Sequence, residues 1–470
     1  MVKKLWGGRF KKKIDSDFDK FQSSIQYDWR LAEYDIYHSM IHSLALLKMG
    51  VLKPQEEKKL NAALKEILDE IKIGQFKYNP ESEDIHTEIQ NRLTEKLGDL
   101  ALKLHSFRSR NDQIVFDERY YCVIETVKIL GLLLEVLGIF SELANKHKED
   151  FFIGYTHTQR AQIIKFEDYL LAYYGMFVRD FERMERFLKN LEIPVGCGAL
   201  AGSYIKKEAY KKAIEETIEF IIKGVNERYR DKRWFKLSEN PLSDVSDRDF
   251  LIEFLSILSI LQMHLSRLAE DLIIYSTKEF NFLILPEEFC TGSSLLPHKK
   301  NPDFLELLRG YTSRIYGDLV SLLTLMKGLP LAYNRDMQLD KEPLFSSVEI
   351  IKEELKILAK FIKEVKLNKK VISKVIKEDQ NLYTTEVAEY LTEKGIPFLK
   401  AHEIAGKLIR FAEEKNKKIK ELDNKILKRF SLNKKIISEI FNPNFVIKRR
   451  RSIDKEAENK LKALLGFKNA

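Results

Sequence analysis

Four stretches of this chain, 119–145, 166–191, 250–278 and 304–327, run without a proline and carry apolar residues at helical spacing. Each is longer than the ~8–20 residues of an ordinary globular helix. Segments such as ILGLLLEVLGIF are apolar around most of the helix surface and need neighbours on several sides. The pattern predicts an all-α chain whose long helices bundle with one another, or with the helices of further copies. Strand signals are weak and confined to stretches such as 280–285. No repeat at a solenoid period and no low-complexity linker interrupts the pattern.

Composition narrows the class. With 470 residues, 44% hydrophobic and 32% charged, the chain is globular rather than disordered or collagenous. Its length is enough for about three domains. The expected division is an N-terminal helical domain over 1–105, a central long-helix bundle over 106–355 and a basic C-terminal helical domain over 356–470. The net charge of +9 is uneven: residues 351–470 carry +13 and the first 350 carry −4. The basic residues of the last quarter alternate with Ile, Leu and Glu at helical spacing, which predicts a solvated helix face and no nucleic-acid partner. Only the cluster 448–451 is dense. The greasiest run, 129–140, is too short to span a bilayer and holds Glu135, so no membrane role is expected. The start MVKKLWGGRFKKK has no apolar core segment of a secretory leader. Three dispersed cysteines without a CxxC pair argue against disulfides and thiolate metal sites, and for a cytoplasmic location.

Polar loops between the helices hold the unusual residues. In 291–303, TGSSLLPHKKNPD, two serines precede Pro297, Lys299, Lys300 and Asn301-Pro302-Asp303. Asn301 as N-cap with Pro302 at the first helical position predicts a helix start, whose positive end and two lysines suit an anion. In such a field a serine alkoxide is stabilised, whereas a polar helix-entry loop is the plainer reading. Residues 154–162, GYTHTQRAQ, place His157 among polar groups before a helix. It is either a proton carrier or a hydrogen-bonded structural histidine. Residues 104–113, LHSFRSRNDQ, set Arg108 and Arg110 around Ser109. They are carboxylate-binding forks or members of an ion-pair network with Asp112. His38 and His42, four apart, lack the glutamate of a zinc-protease helix. The glycines of 196–202 read as close helix packing, and no phosphate loop or dinucleotide fingerprint occurs. No metal and no cofactor is expected.

Taken together, LWGGRF at Leu5, SSIQYDWRLAEYDI at Ser23, EDIH at Glu83, SRNDQ at Ser109, GYTH at Gly154, GALAGS at Gly198, VSDRDF at Val245, GSSLLPHKKNPD at Gly292 and KGLPLAYNRDMQLDKEPLF at Lys327 resemble the argininosuccinate lyase family. That family belongs to the fumarase/aspartase superfamily, with adenylosuccinate lyase and delta-crystallin. The resemblance implies a three-domain, fumarase/aspartase-like fold with a central long-helix bundle. It implies reversible β-elimination of argininosuccinate to arginine and fumarate, in arginine biosynthesis, without a cofactor. By resemblance Ser293 is the base and Lys299 supports it, while His157 is the acid-side histidine and Glu306 its carboxylate partner. Ser24 and Asp28 match contacts to the arginine end. Arg110, Asn111, Thr156, Asn301, Tyr333, Arg335 and Gln338 match substrate-contacting positions, and His86 matches a histidine near the site. The family forms homotetramers whose active sites are shared between subunits.

Departures from the family pattern are Phe107 where a small residue is usual, Thr158 for Leu, Ile163 for Pro, His298 for Gln and Arg335 for Lys. Alternatives from related chemistry are adenylosuccinate lyase or another fumarate-forming lyase. From another class comes a catalytically idle, delta-crystallin-type structural protein.

Overall fold

The structure, a computed structural model, describes residues 9, 11–222 and 236–450. The LWGGRF start apart from Arg9, and Arg451 of the basic cluster, lie outside the described residues. Helices dominate. The stretches expected to be long helices are Arg110–Lys146, Phe166–Asn190 and Asp249–Ser276. The fourth, 304–327, divides at Gly310 and Tyr311 into Asp303–Gly310 and Thr312–Met326. A further long helix runs from Lys341 to Glu364. Helix ends follow local chemistry. Asp15 caps Ser16–Gln22 by accepting the N–H groups of Asp17 and Phe18. Asp84 caps Ile85–Leu97 through the Thr87 N–H, and Gly98, at φ 57°, stops that helix.

Two compact units partition the chain. One contains Met1–Leu132, Asp180–Met263 and Tyr311–Glu353. The other contains Leu133–Arg179, His264–Gly310 and Glu354–Ala470. In the first, Tyr34 makes edge-on contacts with Tyr120 and Tyr121, and Tyr37 with Tyr120. Phe187 and Phe254 stack at 5.2 Å and are both buried. Such aromatic pairs contribute about 0.5–1.5 kcal/mol beyond their buried area. The Asp249–Ser276 helix is long and apolar enough to cross a membrane by length and composition. However, 61% of its most apolar window is buried inside the chain, as in the core helix of a bundle.

The strands are few and short. Leu283–Ile284, within the stretch where a strand signal stood, pairs antiparallel with Lys366–Leu367. Glu192–Ile193 pairs parallel with Lys236–Leu237. The segment read as a loop before a helix is instead a β-hairpin, in which Phe151–Thr156 pairs antiparallel with Gln159–Lys165. Its apolar residues, Phe152, Ile153 and Ile163, are buried, while the polar end from Thr156 to Arg160 is exposed. The polar sequence at the tip conceals two short strands anchored at their far ends.

The basic cluster near the C-terminus is partly neutralised. Arg449 pairs with Glu393, and Arg450 pairs with Glu386 and, at 3.1 Å, with Glu389. These glutamates lie on the Thr384–Glu393 helix. Truncating the buried stack tests the packing of the first unit. Phe254→Ala should cost about 3–5 kcal/mol in denaturant unfolding. A loss below about 1 kcal/mol would show that the stacked rings are not tightly packed.

Candidate active site

The candidate residues fall into two groups, one in each unit. In the first unit they converge on the EDIH segment. Ser24 Oγ donates to Asp28 Oδ2 at 2.6 Å, and Asp28 Oδ1 accepts the Ile85 N–H at 3.1 Å. The Ser24 N–H donates to the Glu83 carbonyl at 2.8 Å. Arg110 reaches Glu83 and Asp84, each at 2.9 Å, and Arg335 reaches the same Glu83 at 3.3 Å. Arg335 and Gln338 both donate to the Gln22 carbonyl, at 2.9 and 2.8 Å. Asn111 Nδ2 donates to the Ala199 carbonyl at 3.2 Å. Tyr333 is largely buried, and burial raises its phenol above the usual range. Thus Ser24, Asp28, Arg110, Arg335 and Gln338 are joined through Glu83, Asp84 and Gln22. Residue type alone does not distinguish the last three, although the EDIH motif marks the segment of Glu83 and Asp84.

His86 lies below this group. Its Nδ1 is 2.9 Å from Asp35 and 3.6 Å from Asp117, and all three side chains are buried. Gln113 also donates to Asp35, at 2.7 Å. Burial disfavours charge on His86, but Asp35 outweighs it and the imidazole pKa is raised. Burial and the neighbouring Asp35 push Asp117 well above the carboxylate range. The three ligand atoms lie within 4.8 Å of one another, close enough for a metal ion. With the imidazole already between the carboxylates, a proton on His86 performs the same charge neutralisation. Positions 35, 86 and 117 are too far apart in sequence for any spacing rule to group them.

The SRNDQ segment begins the Arg110–Lys146 helix, with Ser109 at its start accepting the Asn111 N–H. Asp112 is not a surface partner of the arginines. It is fully buried and accepts the Cys197 N–H at 3.2 Å. The glycines around it serve a tight loop as well as close packing against a helix, Lys207–Ile221. Gly196, Gly198 and Gly202 all have positive φ, and a Cβ on Gly196 would lie 2.5 Å from Tyr210 Cε2. Ahead of this helix, Phe107 also has left-handed backbone, at φ 62°. This is strained for a bulky residue and explains why a small one suits the position. Ser203 Oγ holds its carbonyl at 2.9 Å, and its exposed ring meets Tyr204. His42 bonds Tyr210 and the Ser106 carbonyl, and His38 stacks on Phe116, so these histidines are core residues.

The second unit holds the serine loop and the hairpin. Ser293 Oγ accepts the N–H groups of Leu295 at 3.3 Å and Leu296 at 3.0 Å. These two donors favour negative charge on that oxygen, a support not visible from residue types. Asn301 is not the helix cap. The helix starts at Asp303, and the Pro302 carbonyl accepts the Glu306 N–H. Asn301 instead closes the loop through a two-way backbone bridge with Thr291, and its Nδ2 donates to the Gly292 carbonyl at 3.3 Å. Lys299, Asn301 and Glu306 line an open cavity of about 800 Å³ with Cys290, Lys278 and Glu364. Cys290 is half-buried, whereas Cys122 and Cys197 are buried, and all three are free thiols.

His157 and Thr158 form the two-residue turn of the hairpin, at φ 52° and 57°, between the paired Thr156 and Gln159. Two consecutive left-handed residues make the type I′ turn that usually selects Asn-Gly. His157 therefore stands exposed on strained backbone. Within one chain, His157 and Glu306 are not joined by a hydrogen bond or ion pair among the described residues.

Two family profiles match the chain. One, described as lyase, covers residues 8–317. The other, described as argininosuccinate lyase C-terminal, covers 381–454. The argininosuccinate lyase of Caldanaerobacter subterraneus subsp. tengcongensis is 45% identical, over 96% of this chain and 98% of its own length. The chain belongs to the argininosuccinate lyase family. Another member, from Geobacillus sp., is 43% identical over 96% of this chain and 95% of its own. Among solved structures, EDDS lyase in complex with formate has a TM-score of 0.77 at 21% identity, covering 96% of this chain and 87% of its own. A class II fumarase from Schistosoma mansoni has a TM-score of 0.77 at 16% identity, covering 91% and 93%. The all-α fold is thus shared with these lyase and fumarase structures.

Burial pushes the Asp112 carboxyl up to about 6, despite the N–H groups of Cys197, Gly198 and Gly196 that favour its charge. Its folded pKa lies above the ordinary value of 3.8, so this group's contribution falls as pH rises from about 4 to about 6. Asp112→Asn removes that slope. Denaturant titrations should show the variant gaining on the wild type by up to about 3 kcal/mol between pH 4 and 7. Parallel pH curves would show that Asp112 does not titrate differently in the folded chain.

Proposed function

We propose that this chain catalyses the reversible elimination of argininosuccinate to arginine and fumarate, with Ser293 as base and His157 on the acid side. The observation that carries the reading is the 45% identity to argininosuccinate lyase over nearly the full length of both chains. The chemistry needs a base at the succinyl carbon beside a carboxylate, fixed positive groups for the doubly charged carboxylate that develops, and a proton for the departing guanidinium nitrogen. Ser293 Oγ, which accepts two backbone N–H groups, is suited to bear charge, and Lys299 on the same loop adds a positive field. Thr156, Asn111, Asn301, Arg110 and Arg335 supply donors for carboxylates. Asp28 and Ser24 supply acceptors for an amino-acid end. His86, whose pKa is raised by Asp35, is favoured to carry a proton among the acidic residues around it.

The proposal includes a homotetramer with active sites assembled from several copies. Tyr316, Val320 and Leu323 form an exposed apolar stripe on the Thr312–Met326 helix. His157 sits exposed on its hairpin tip without its expected carboxylate partner from the same chain. Both features support a site completed by association. The free thiols support a reducing, cytoplasmic setting.

Purified protein should release fumarate from argininosuccinate, detectable by ultraviolet absorbance, and none from adenylosuccinate. Fumarate from adenylosuccinate alone would transfer the chain to the other lyase. Absence of product from both, with a folded tetramer, would favour the idle, delta-crystallin-like reading. Ser293→Ala should lower kcat by about 10²–10⁴-fold with little change in substrate binding. Near-normal turnover would remove Ser293 from the role of base.

A further inference from the structure

The VSDRDF segment holds both ends of the segment that carries Tyr333, Arg335 and Gln338. At one end, Ser246 Oγ accepts the N–H of Ala332 at 2.6 Å. Ala332 has left-handed backbone, at φ 69°, so this bond fixes a conformation that the residue does not favour by itself. At the other end, the Arg248 guanidinium meets Asp340 at 2.7 Å and Glu118 at 3.0 Å. Lys341 completes the cluster, 2.8 Å from Asp340 and 2.7 Å from Glu118. Asp340 is the last residue of the short 3-10 helix Arg335–Asp340, and Lys341 opens the next helix. Glu118 lies on the Arg110–Lys146 helix, which begins with Arg110 and Asn111.

All four charged groups are buried, Arg248, Glu118 and Asp340 completely. Their two positive and two negative charges cancel. A buried ion cluster of this kind is often no more stable than a well-packed apolar replacement. What it supplies that an apolar patch does not is direction: each bond holds only in one arrangement of the turn. Ser246 and Arg248 are two residues apart, so one short, rigidly packed segment sets both ends of the substrate-facing stretch.

We infer that Ser246 and the Arg248–Glu118–Asp340–Lys341 cluster are positioning residues that set where Tyr333, Arg335 and Gln338 meet the substrate. This rests on the reading of those three as substrate contacts under the proposed function. A misplacement of about 1 Å in such contacts can cost up to about 100-fold.

Two variants test it. Ser246→Ala removes the first tether without touching a charge. Asp340→Asn combined with Lys341→Met detaches the turn while leaving the Glu118–Arg248 pair neutral. Each should keep its tetramer and its thermal midpoint to within a few degrees. KM for argininosuccinate should rise about 3–10-fold in Ser246→Ala and more than about 10-fold in the double variant, with kcat changing far less. A purely structural role would lower the thermal midpoint and leave KM alone. Unchanged KM in folded Ser246→Ala overturns the proposal even if the double variant does not fold. Hydrogen exchange separates this proposal from the proposed function, because it needs no turnover. Amides of 331–340 should exchange faster in both variants than in the wild type, and equal rates overturn the proposal whatever the substrate proves to be.

Discussion

A guanidinium removed completely from water has to be matched charge for charge, and Arg248 is matched by Glu118 and Asp340 with Lys341 restoring neutrality. Removing one partner from such a group costs about 3–5 kcal/mol, because a charge is left buried and uncompensated. Three helices bring these residues together: Glu118 from within Arg110–Lys146, Arg248 from the entry to Asp249–Ser276, and Lys341 from the start of Lys341–Glu364. The relative placement of those helices in the first unit is therefore tied to one electrostatic condition, satisfied only when all of them are in register.

The same accounting governs the neighbouring carboxylates. Asp28, Asp35, Asp84, Asp112 and Asp117 are all buried in the first unit, an arrangement that repels itself unless each charge is met. His86 meets Asp35, Arg110 meets Asp84, and backbone N–H groups meet Asp112. Asp117, with the weakest compensation, is pushed towards its neutral form by burial and Asp35. The overall charge of +9 says nothing about this interior, where acidic groups predominate and placed cations answer them.

Much of this architecture was legible in the chain. Proline-free apolar stretches announced the long helices because helical periodicity is local information. SRNDQ and EDIH each open a helix, and Ser109 and Asp84 have the residue types that start one. The hairpin was not legible, because its turn is His157-Thr158 rather than the Asn-Gly that signals such a turn, and its exposed end is polar. Asn301-Pro302 resembles a helix start, but the Thr291 bridge captures Asn301 first, a contact ten residues away that no local rule contains. The sharing of Glu83 between Arg110 and Arg335 joins positions 83, 110 and 335, and only folding brings those together.

The uneven burial of the three thiols gives the chain a ready handle for chemical labelling. Cys122 and Cys197 are sealed, and burial raises both thiols far from the thiolate form that alkylating reagents attack. Cys290 is half-buried and precedes Thr291, which forms the base of the serine loop. A thiol-directed fluorophore would thus report on the unmodified sequence at one place, beside that bridge. The rate of its attachment, with and without occupants of the adjoining cavity, reads the accessibility of Cys290 without introducing a single substitution.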